Sequence, residues 1–200
     1  YNLTQEQLAR TLMPVGEYSK DRIREMADEI GLLVAHKPDS QDICFVPDGD
    51  YASFIENTTD QVLPTGNFVT PEGKVLGKHK GIIHYTVGQR KGLGLALGYP
   101  AFVLEIRPET NEVVIGTYEE SLTYTVRANE LNFMSVEQIT EPVRIFAKIR
   151  YNHKGAWCTV ERTGEDEIVC TFGEPIRAAT PGQAVVLYDG EYVLGGGTIL

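Results

Sequence analysis

The sequence predicts a mainly β protein with an N-terminal helical segment, a small central β domain and a C-terminal antiparallel β-barrel. Helical periodicity is confined to roughly the first quarter of the 200 residues. From about residue 62 onward, short alternating runs are separated by turn sequences such as Asp189-Gly190, a strong hairpin signal. Many short strands joined by turns are typical of antiparallel barrels rather than of βαβ units.

The N-terminal segment, residues 1–55, carries the helix start and stop signals of the chain. Ser, Thr and Asp are favoured as caps at helix starts, whereas Pro and Gly are favoured at helix ends. The predicted boundaries are Thr4 and Pro14 for a first helix, Ser19 and Gly31 for a second, and Asp50 for the start of a third.

The strand signals divide into a central domain, residues 56–123, and a barrel, residues 124–200. The predicted hairpins join residues 68–70 with 75–77, 102–106 with 113–115, 157–162 with 168–172, and 185–188 with 192–194. A nine-residue strand is expected over Val143–Tyr151, and the single tryptophan, Trp157, is expected in the core. Alternation places Val143, Ile145, Ala147, Ile149 and Tyr151 on one face of that strand.

Composition and charge exclude several classes of protein. Hydrophobic residues make up 42%, so a packed core is expected, while the net charge of −10 argues against coating nucleic acid through bulk attraction. Any RNA contact must therefore come from a local basic face. No apolar run is long enough to cross a bilayer, and no signal peptide is visible. The chain starts at Tyr1 without a methionine, from which we expect a larger functional unit.

The three cysteines and four histidines indicate a reduced protein without a structural metal. Three is an odd and small number of cysteines, which favours the cytoplasm over a disulfide-rich secreted protein. Cys158 and Cys170 fall on the two arms of one predicted hairpin, where we expect packed, reduced thiols. The histidines have no metal-ligand spacing among themselves or with the cysteines.

Cys44 is the cysteine with a candidate chemical role. It lies in a polar loop between Pro38 and Pro47, where it is either a small buried hydrophobe or a reactive thiol. Asp39 and Asp42 would raise the pKa of a nearby thiol, so a thiolate here needs a positive partner.

Two further stretches are candidates for contact with RNA. The second face of the Val143–Tyr151 strand carries Arg144, Phe146, Lys148 and Arg150, which is either a phosphate-and-base surface or the solvated outside of a barrel. The glycine-rich stretch after Gly88 presents Gln89, Arg90 and Lys91, either as an RNA-facing loop or simply as a loop that needs backbone freedom.

Five motifs, taken in order, carry a family resemblance along the whole chain. The segment Lys37–Phe45 around Cys44 is similar to the cysteine segment of the tRNA-specific 2-thiouridylases. The other matching segments are Met13–Glu17, Gly88–Gly94, Thr180–Gln183 and Gly195–Gly197.

The resemblance implies a role for each matching residue. Cys44 would carry a persulfide whose sulfur is transferred to C2 of an ATP-activated wobble uridine. Arg150, Tyr151 and Gln183 would contact tRNA, while Arg144, Lys148, Gln89, Arg90 and Lys91 are additions from the residues alone. The implied partners are tRNA and a sulfur-donor or sulfur-relay protein, with no DNA and no membrane.

The resemblance also implies what this chain lacks. The family's glycine-rich pyrophosphatase loop and its earlier cysteine are absent, so residues 1–55 read as the helical tail of an ATP-binding domain. We expect residues 1–200 to bind no cofactor and to be inactive alone, with ATP and Mg bound by the complete protein. The competing hypothesis is a noncatalytic RNA- or protein-binding β-barrel module with an inert Cys44.

Overall fold

The computed structural model describes residues 1–38, 46, 50–59 and 64–200. The chain divides into two units, one of residues 5–60 and one of residues 1–4 together with 61–200. Cys44, the predicted sulfur carrier, lies outside the described residues.

The described residues of the unit 5–60 form three helices, α1 (Gln5–Ala9), α2 (Lys20–Glu29) and α3 (Tyr51–Thr59). Ser19 caps α2 as predicted, since its Oγ accepts a hydrogen bond of 3.3 Å from the N–H of Arg22. α2 ends at Glu29 and is followed by Gly31, which has a φ of 72°. The N–H groups of Gly31 and Leu32 bond back to the carbonyls of Asp28 and Ala27. This pair of bonds is the Schellman motif, and it confirms the predicted stop.

One expectation for this unit needs correction. The first helix ends at Ala9 rather than at Pro14, because the N–H groups of Arg10 and Thr11 bond three residues back and tighten the last turn. On α2, Ile23, Met26 and Ala27 are partly buried, and none of the residues of this helix is completely buried. The cap of α3 is confirmed, since the Asp50 carboxylate accepts from the N–H of Ser53 at 3.1 Å.

The central sheet has four strands, β1 (Gly66–Val69), β2 (Val75–His79), β3 (Phe102–Arg107) and β4 (Glu112–Gly116). The strand order is β2-β1-β4-β3. Both predicted hairpins are confirmed, but they join through a parallel pairing of β1 with β4. The central sheet is therefore open and mixed, not a second antiparallel barrel. Short 3-10 turns follow at Ile82–His84 and Glu119–Ser121.

His79 is a buried polar residue in the core of this sheet, with 2% of its surface exposed. Its Nδ1 accepts a 3.1 Å hydrogen bond from the N–H of Gly81. The proton of the neutral ring therefore sits on Nε2, which donates to the carbonyl of Asn111 at 3.1 Å. Burial lowers the pKa of His79, since it penalises the charged ring.

The barrel consists of six strands, β5 (Leu122–Phe133), β6 (Val143–Lys148), β7 (Ala156–Gly164), β8 (Glu167–Arg177), β9 (Ala184–Asp189) and β10 (Tyr192–Ile199). They close in the order β10-β5-β8-β7-β6-β9 with antiparallel pairing throughout. Closure leaves no free strand edge and confirms the predicted barrel. Its interior is filled by apolar side chains from every strand, among them Val126, Ile145, Val160, Ile168, Leu187 and Ile199.

The longest strand, β5, is missing from the sequence prediction. Its alternation is broken twice, by a register shift between Thr123 and Thr125 and by Glu130, which has a φ of 51°. The Asp166 carboxylate accepts from the N–H groups of Glu130 and Leu131 at 3.0 and 2.8 Å, which satisfies the irregular backbone. A side chain 35 or 36 residues away in sequence thus stabilises a strand that a period-2 pattern cannot detect.

Cys158 and Cys170 lie inside the barrel as free, buried thiols, as expected. They stand on the paired strands β7 and β8. The hydrogen bond with Cys158, together with burial, raises the pKa of Cys170. The same hydrogen bond lowers the pKa of Cys158, against the opposing effect of burial. Both thiols are shielded from solvent inside the barrel.

Candidate nucleic-acid interface

One cleft, in the unit that contains the barrel, is lined by the three residues that resemble tRNA contacts of the family: Arg150, Tyr151 and Gln183. The cleft has a volume of about 510 Å³. Its lining is completed by Tyr1, Lys148, Ala184, Val186 and Tyr188. The residues meet because β6 pairs with β9 in the register Lys148 to Val186, so the end of β6 lies beside the start of β9.

The strand that carries Arg150 ends earlier than predicted. β6 stops at Lys148, and residues 151–152 form a turn. Ile145, Ala147 and Ile149 are buried as predicted, but Tyr151 is 93% exposed and does not belong to the inner face. The alternation ends there because the chain has left the strand. The Tyr151 phenol therefore lines the cleft and does not face the barrel interior.

The Arg150 side chain is anchored by backbone rather than by a carboxylate. Its Nη1 donates to the carbonyls of Arg177 and Ala178 at 2.9 and 3.1 Å. A guanidinium has five N–H donors, and these bonds use two of them. The side chain is therefore held in place while further donors remain for an anion in the cleft.

His153 holds the turn that follows Arg150 through two hydrogen bonds. The N–H of His153 donates to the Arg150 carbonyl at 3.1 Å, and its Nδ1 accepts from the N–H of Ile149 at 3.5 Å. Burial lowers the pKa of His153, and the positive charges of Arg150 and Lys148 lower it further. The ring is thus neutral at neutral pH and acts as a hydrogen-bond acceptor within the turn.

Gln183 is the last residue of a tight turn formed by the Thr180–Gln183 motif. Pro181 stands second and Gly182 third, with a φ of 81°, and the N–H of Gln183 donates to the Thr180 carbonyl at 3.1 Å. Pro at the second position and a positive φ at the third define a type II turn. The backbone of Gln183 also accepts from the N–H of Ile199 at 2.7 Å, while its side chain stays exposed.

A second groove of about 350 Å³ shares Arg150 and Gln183 with the cleft. It is lined by Thr86, Val87, Gly88, Arg177, Ala178 and Thr180 in addition. Gly88 has a φ of 85°, and a Cβ at this position would lie 2.6 Å from the Cβ of Ala178. The glycine-rich stretch thus allows the central sheet to approach the barrel closely and to extend the groove.

The three loop residues after Gly88 do not join the cleft lined by Arg150. The Gln89 amide is engaged within its own turn, accepting from the N–H of Thr86 at 3.0 Å and donating to the Lys91 carbonyl at 2.9 Å. Arg90 and Lys91 are exposed, and Arg90 lines a separate groove of about 240 Å³ beside Tyr99.

Lys148 and Arg144 both lie on the outer side of β6, but only Lys148 lines the cleft. The guanidinium of Arg144 stands over the ring of Trp157, 5.4 Å from its centroid.

The expectation that Trp157 belongs to the core is wrong, because the residue is 54% exposed. Trp157 shares one face of β7 with Thr159 and Glu161, both polar, which is the sequence signal for an outward position.

The cleft and groove carry positive charge in a protein whose net charge is −10. Lys148, Arg150 and Arg177 contribute cations, and neither lining includes an Asp or Glu among the residues that the structure describes. Arg177 and Tyr188 were not singled out from the sequence. Tyr188 was detectable, since it alternates with the buried Val185 and Leu187 of β9. Cationic donors beside exposed aromatic rings suit phosphates and bases.

The described part of the chain offers neither a metal site nor a membrane-spanning helix. Within residues 1–38, 46, 50–59 and 64–200, no cluster of His, Cys, Asp and Glu could hold a metal ion. Among the same residues, no helix has the length and apolar character needed to span a membrane.

Three family domains match the chain in sequence order. A tRNA methyl transferase HUP domain matches residues 1–48, a tRNA methyl transferase PRC-barrel domain matches residues 52–117, and an aminomethyltransferase beta-barrel domain matches residues 123–199.

Curated relatives match along the full chain. The tRNA-specific 2-thiouridylase MnmA of Lachnoclostridium phytofermentans is 62% identical over 200 residues, covering 100% of this chain and 56% of the relative. The proteins of the same name from Carboxydothermus hydrogenoformans and Clostridioides difficile are 53% and 51% identical over 199 residues, covering 100% of this chain and 54% and 55% of the relatives. The chain thus spans about half the length of the curated relatives it matches.

Proposed function

Because the chain belongs to the tRNA-specific 2-thiouridylase family, we propose that it supplies the tRNA-binding half of such an enzyme together with its sulfur-carrying cysteine. The observation that carries this proposal is the cleft in which Arg150, Tyr151, Gln183 and Lys148 meet. These residues come from two separate parts of the sequence, and their cationic and aromatic groups suit a nucleic-acid backbone with unstacked bases.

The proposed reaction forms 2-thiouridine at the wobble position of tRNA. ATP adenylates the C2 oxygen of the uridine and releases pyrophosphate, which makes AMP the leaving group. The terminal sulfur of a Cys44 persulfide attacks C2, and AMP departs. A second thiol then attacks the Cys44 sulfur, which leaves a disulfide and frees the thiocarbonyl product.

The three family matches support a division of labour within the proposed enzyme. Residues 1–55 are the tail of the ATP-binding domain, residues 56–123 the central domain, and residues 124–200 the tRNA-binding barrel. ATP, with Mg, is bound outside residues 1–200 in this scheme. A sulfur-donor or relay protein charges Cys44, and the reaction takes place in the cytoplasm.

Cysteine alkylation tests the role of Cys44 against the alternative of an inert module. Brief treatment of the native chain with iodoacetamide, followed by peptide mass spectrometry, measures each thiol separately. Cys158 and Cys170 are 2% and 0% exposed, so they serve as internal controls for a folded barrel. We expect rapid labelling at Cys44 alone. Labelling of Cys44 no faster than that of a denatured thiol would support the noncatalytic alternative.

Activity of the isolated chain tests the division of labour. Residues 1–200 incubated with tRNA, ATP, Mg and a sulfide donor should give no 2-thiouridine by nucleoside mass spectrometry. The chain should nevertheless bind the same tRNA in a filter or anisotropy assay. Appearance of 2-thiouridine would contradict the assignment of ATP binding to another part of the enzyme.

A further inference from the structure

Trp157 is a large aromatic residue on the outside of the barrel, where half of its surface is open to solvent. Its neighbours along β7, Cys158 and Val160, face the core, so the indole faces outward. The Phe146 ring meets the indole edge-on, with centroids 5.8 Å apart and planes at 74°. Arg144 lies above the indole at 5.4 Å. We refer to Trp157, Phe146 and Arg144 as the Trp157 platform.

The platform is held in place by its surroundings. Phe146 pairs with Trp157 across β6 and β7, so both backbones belong to the closed barrel. Gly155, with a φ of 85°, lies directly under the Phe146 ring, where any Cβ would collide with it. An aromatic surface fixed in advance loses little conformational freedom when a ligand stacks on it.

The platform is continuous with the cleft. Phe146 pairs with Tyr188 across β6 and β9, and Tyr188 lines the cleft with Lys148. The outer face of β6 therefore connects the indole to the cations around Arg150. Arg144 forms no ion pair with any carboxylate among the described residues, so its charge is available to a phosphate next to the indole.

We propose that the Trp157 platform stacks an unpaired nucleotide base of the RNA whose backbone follows Lys148 and Arg150. The inference rests on the proposed tRNA-binding function and adds a second contact point to it. An exposed aromatic ring with flanking cations is the combination that binds unpaired nucleotides, because every base has a face that can stack and a phosphate beside it. A paired base in a duplex cannot offer its face in this way.

The fluorescence of Trp157 tests the proposal directly, since it is the only tryptophan in the 200 residues. Tryptophan emission and its quenching by acrylamide are measured while unlabelled tRNA transcript is added to the chain. In parallel, anisotropy of a fluorescein-labelled transcript measures occupancy. We expect the emission to change and the indole to become protected in proportion to occupancy. A blunt RNA duplex at equal occupancy should protect it much less.

Substitution provides the second readout. Trp157→Ala should weaken tRNA binding by about tenfold, given the usual contribution of base–aromatic stacking. Trp157→Phe retains an aromatic ring and should recover most of the loss. Tyr124→Ala is the matched control, because Tyr124 is 56% exposed on β5, three strands away from β6 in either direction around the barrel. It should bind like the unsubstituted chain.

The outcomes separate this inference from the function on which it rests. Binding that depends on Arg150, with unchanged indole emission or with Trp157→Ala equal to Tyr124→Ala, overturns the platform and leaves the tRNA-binding proposal standing. Equal protection by tRNA and blunt duplex overturns the assignment to an unpaired base. Absence of any tRNA binding by a folded chain overturns both proposals.

Discussion

Charge reversal at Arg150 is the sharpest perturbation of the proposed tRNA site. The guanidinium lines both the cleft and the adjoining groove, so Arg150→Glu places a carboxylate where we expect a phosphate. Two unit charges about 4 Å apart in water interact by about 1 kcal/mol. Reversal turns that attraction into a repulsion of similar size. The total change of about 2 kcal/mol corresponds to roughly a 30-fold loss of affinity at low salt.

The assay is anisotropy of labelled tRNA at several salt concentrations. Removing one phosphate contact should also reduce the slope of log K against log salt by about 0.7 to 0.9. Lys74→Glu is the matched control, because it makes the same charge change at an exposed turn of the central sheet. It corrects for the general effect of adding negative charge to a protein of net charge −10.

Arg150→Lys separates charge from positioning. Lysine keeps the charge but has no planar fork to bridge the carbonyls of Arg177 and Ala178. We expect a smaller loss of affinity with most of the salt slope retained. If Arg150→Glu binds tRNA as tightly as Lys74→Glu at about 0.1 M salt, where screening acts over roughly 10 Å, the assignment of Arg150 to a phosphate contact is refuted.

Two further predictions concern stability. Gly88→Ala should lower the unfolding free energy by about 1–3 kcal/mol, because the residue has a positive φ and the new Cβ would press on Ala178. Gly173→Ala is the control, since the space around Gly173 is open, and it should change the urea midpoint far less. Equal urea midpoints for the two variants would refute the close approach of Gly88 to Ala178. The lowered pKa of His79 means that the unfolded chain binds a proton more readily, so stability should fall as pH drops below about 6.5 through the folded pKa. His79→Gln should flatten that dependence in urea titrations between pH 7.5 and 5.5, and an unchanged slope would show that another group causes it.

The errors in the sequence prediction have particular physical causes. The hairpins of the central sheet and the barrel were found because each places a turn between two apolar runs, and both signals are local. The strand β5 was missed because its regular alternation is interrupted by a bulge and by Glu130 in a left-handed conformation. The core assignment of Trp157 is wrong, because the residue shares a strand face with the polar Thr159 and Glu161, which indicates the outside. Hydrophobicity alone does not determine which face of a strand is buried.

The candidate site was partly accessible from the sequence. Period-2 alternation places three cations, Arg144, Lys148 and Arg150, on one strand face. The family resemblance indicates tRNA contacts at Arg150, Tyr151 and Gln183. No local pattern relates residue 150 to residue 183, or either to Arg177. They meet because β6 pairs with β9 and because the Arg150 side chain bonds to the end of β8. The role of Gln89 in its own turn likewise required the positions of Thr86 and Lys91.

The amino-acid sequence by itself determined the mainly β character, the helix caps at Ser19 and Asp50, the alternating core of β6 and the family to which the chain belongs. These depend on residues close together in the chain, whose geometry is limited by local sterics and hydrogen bonding. Only the tertiary structure decided the closure of the barrel, the parallel junction of the central sheet, the cleft and the exposed position of Trp157. Those features depend on pairing between distant strands, and a strand's sequence shows which faces it has but not which partner each edge will meet.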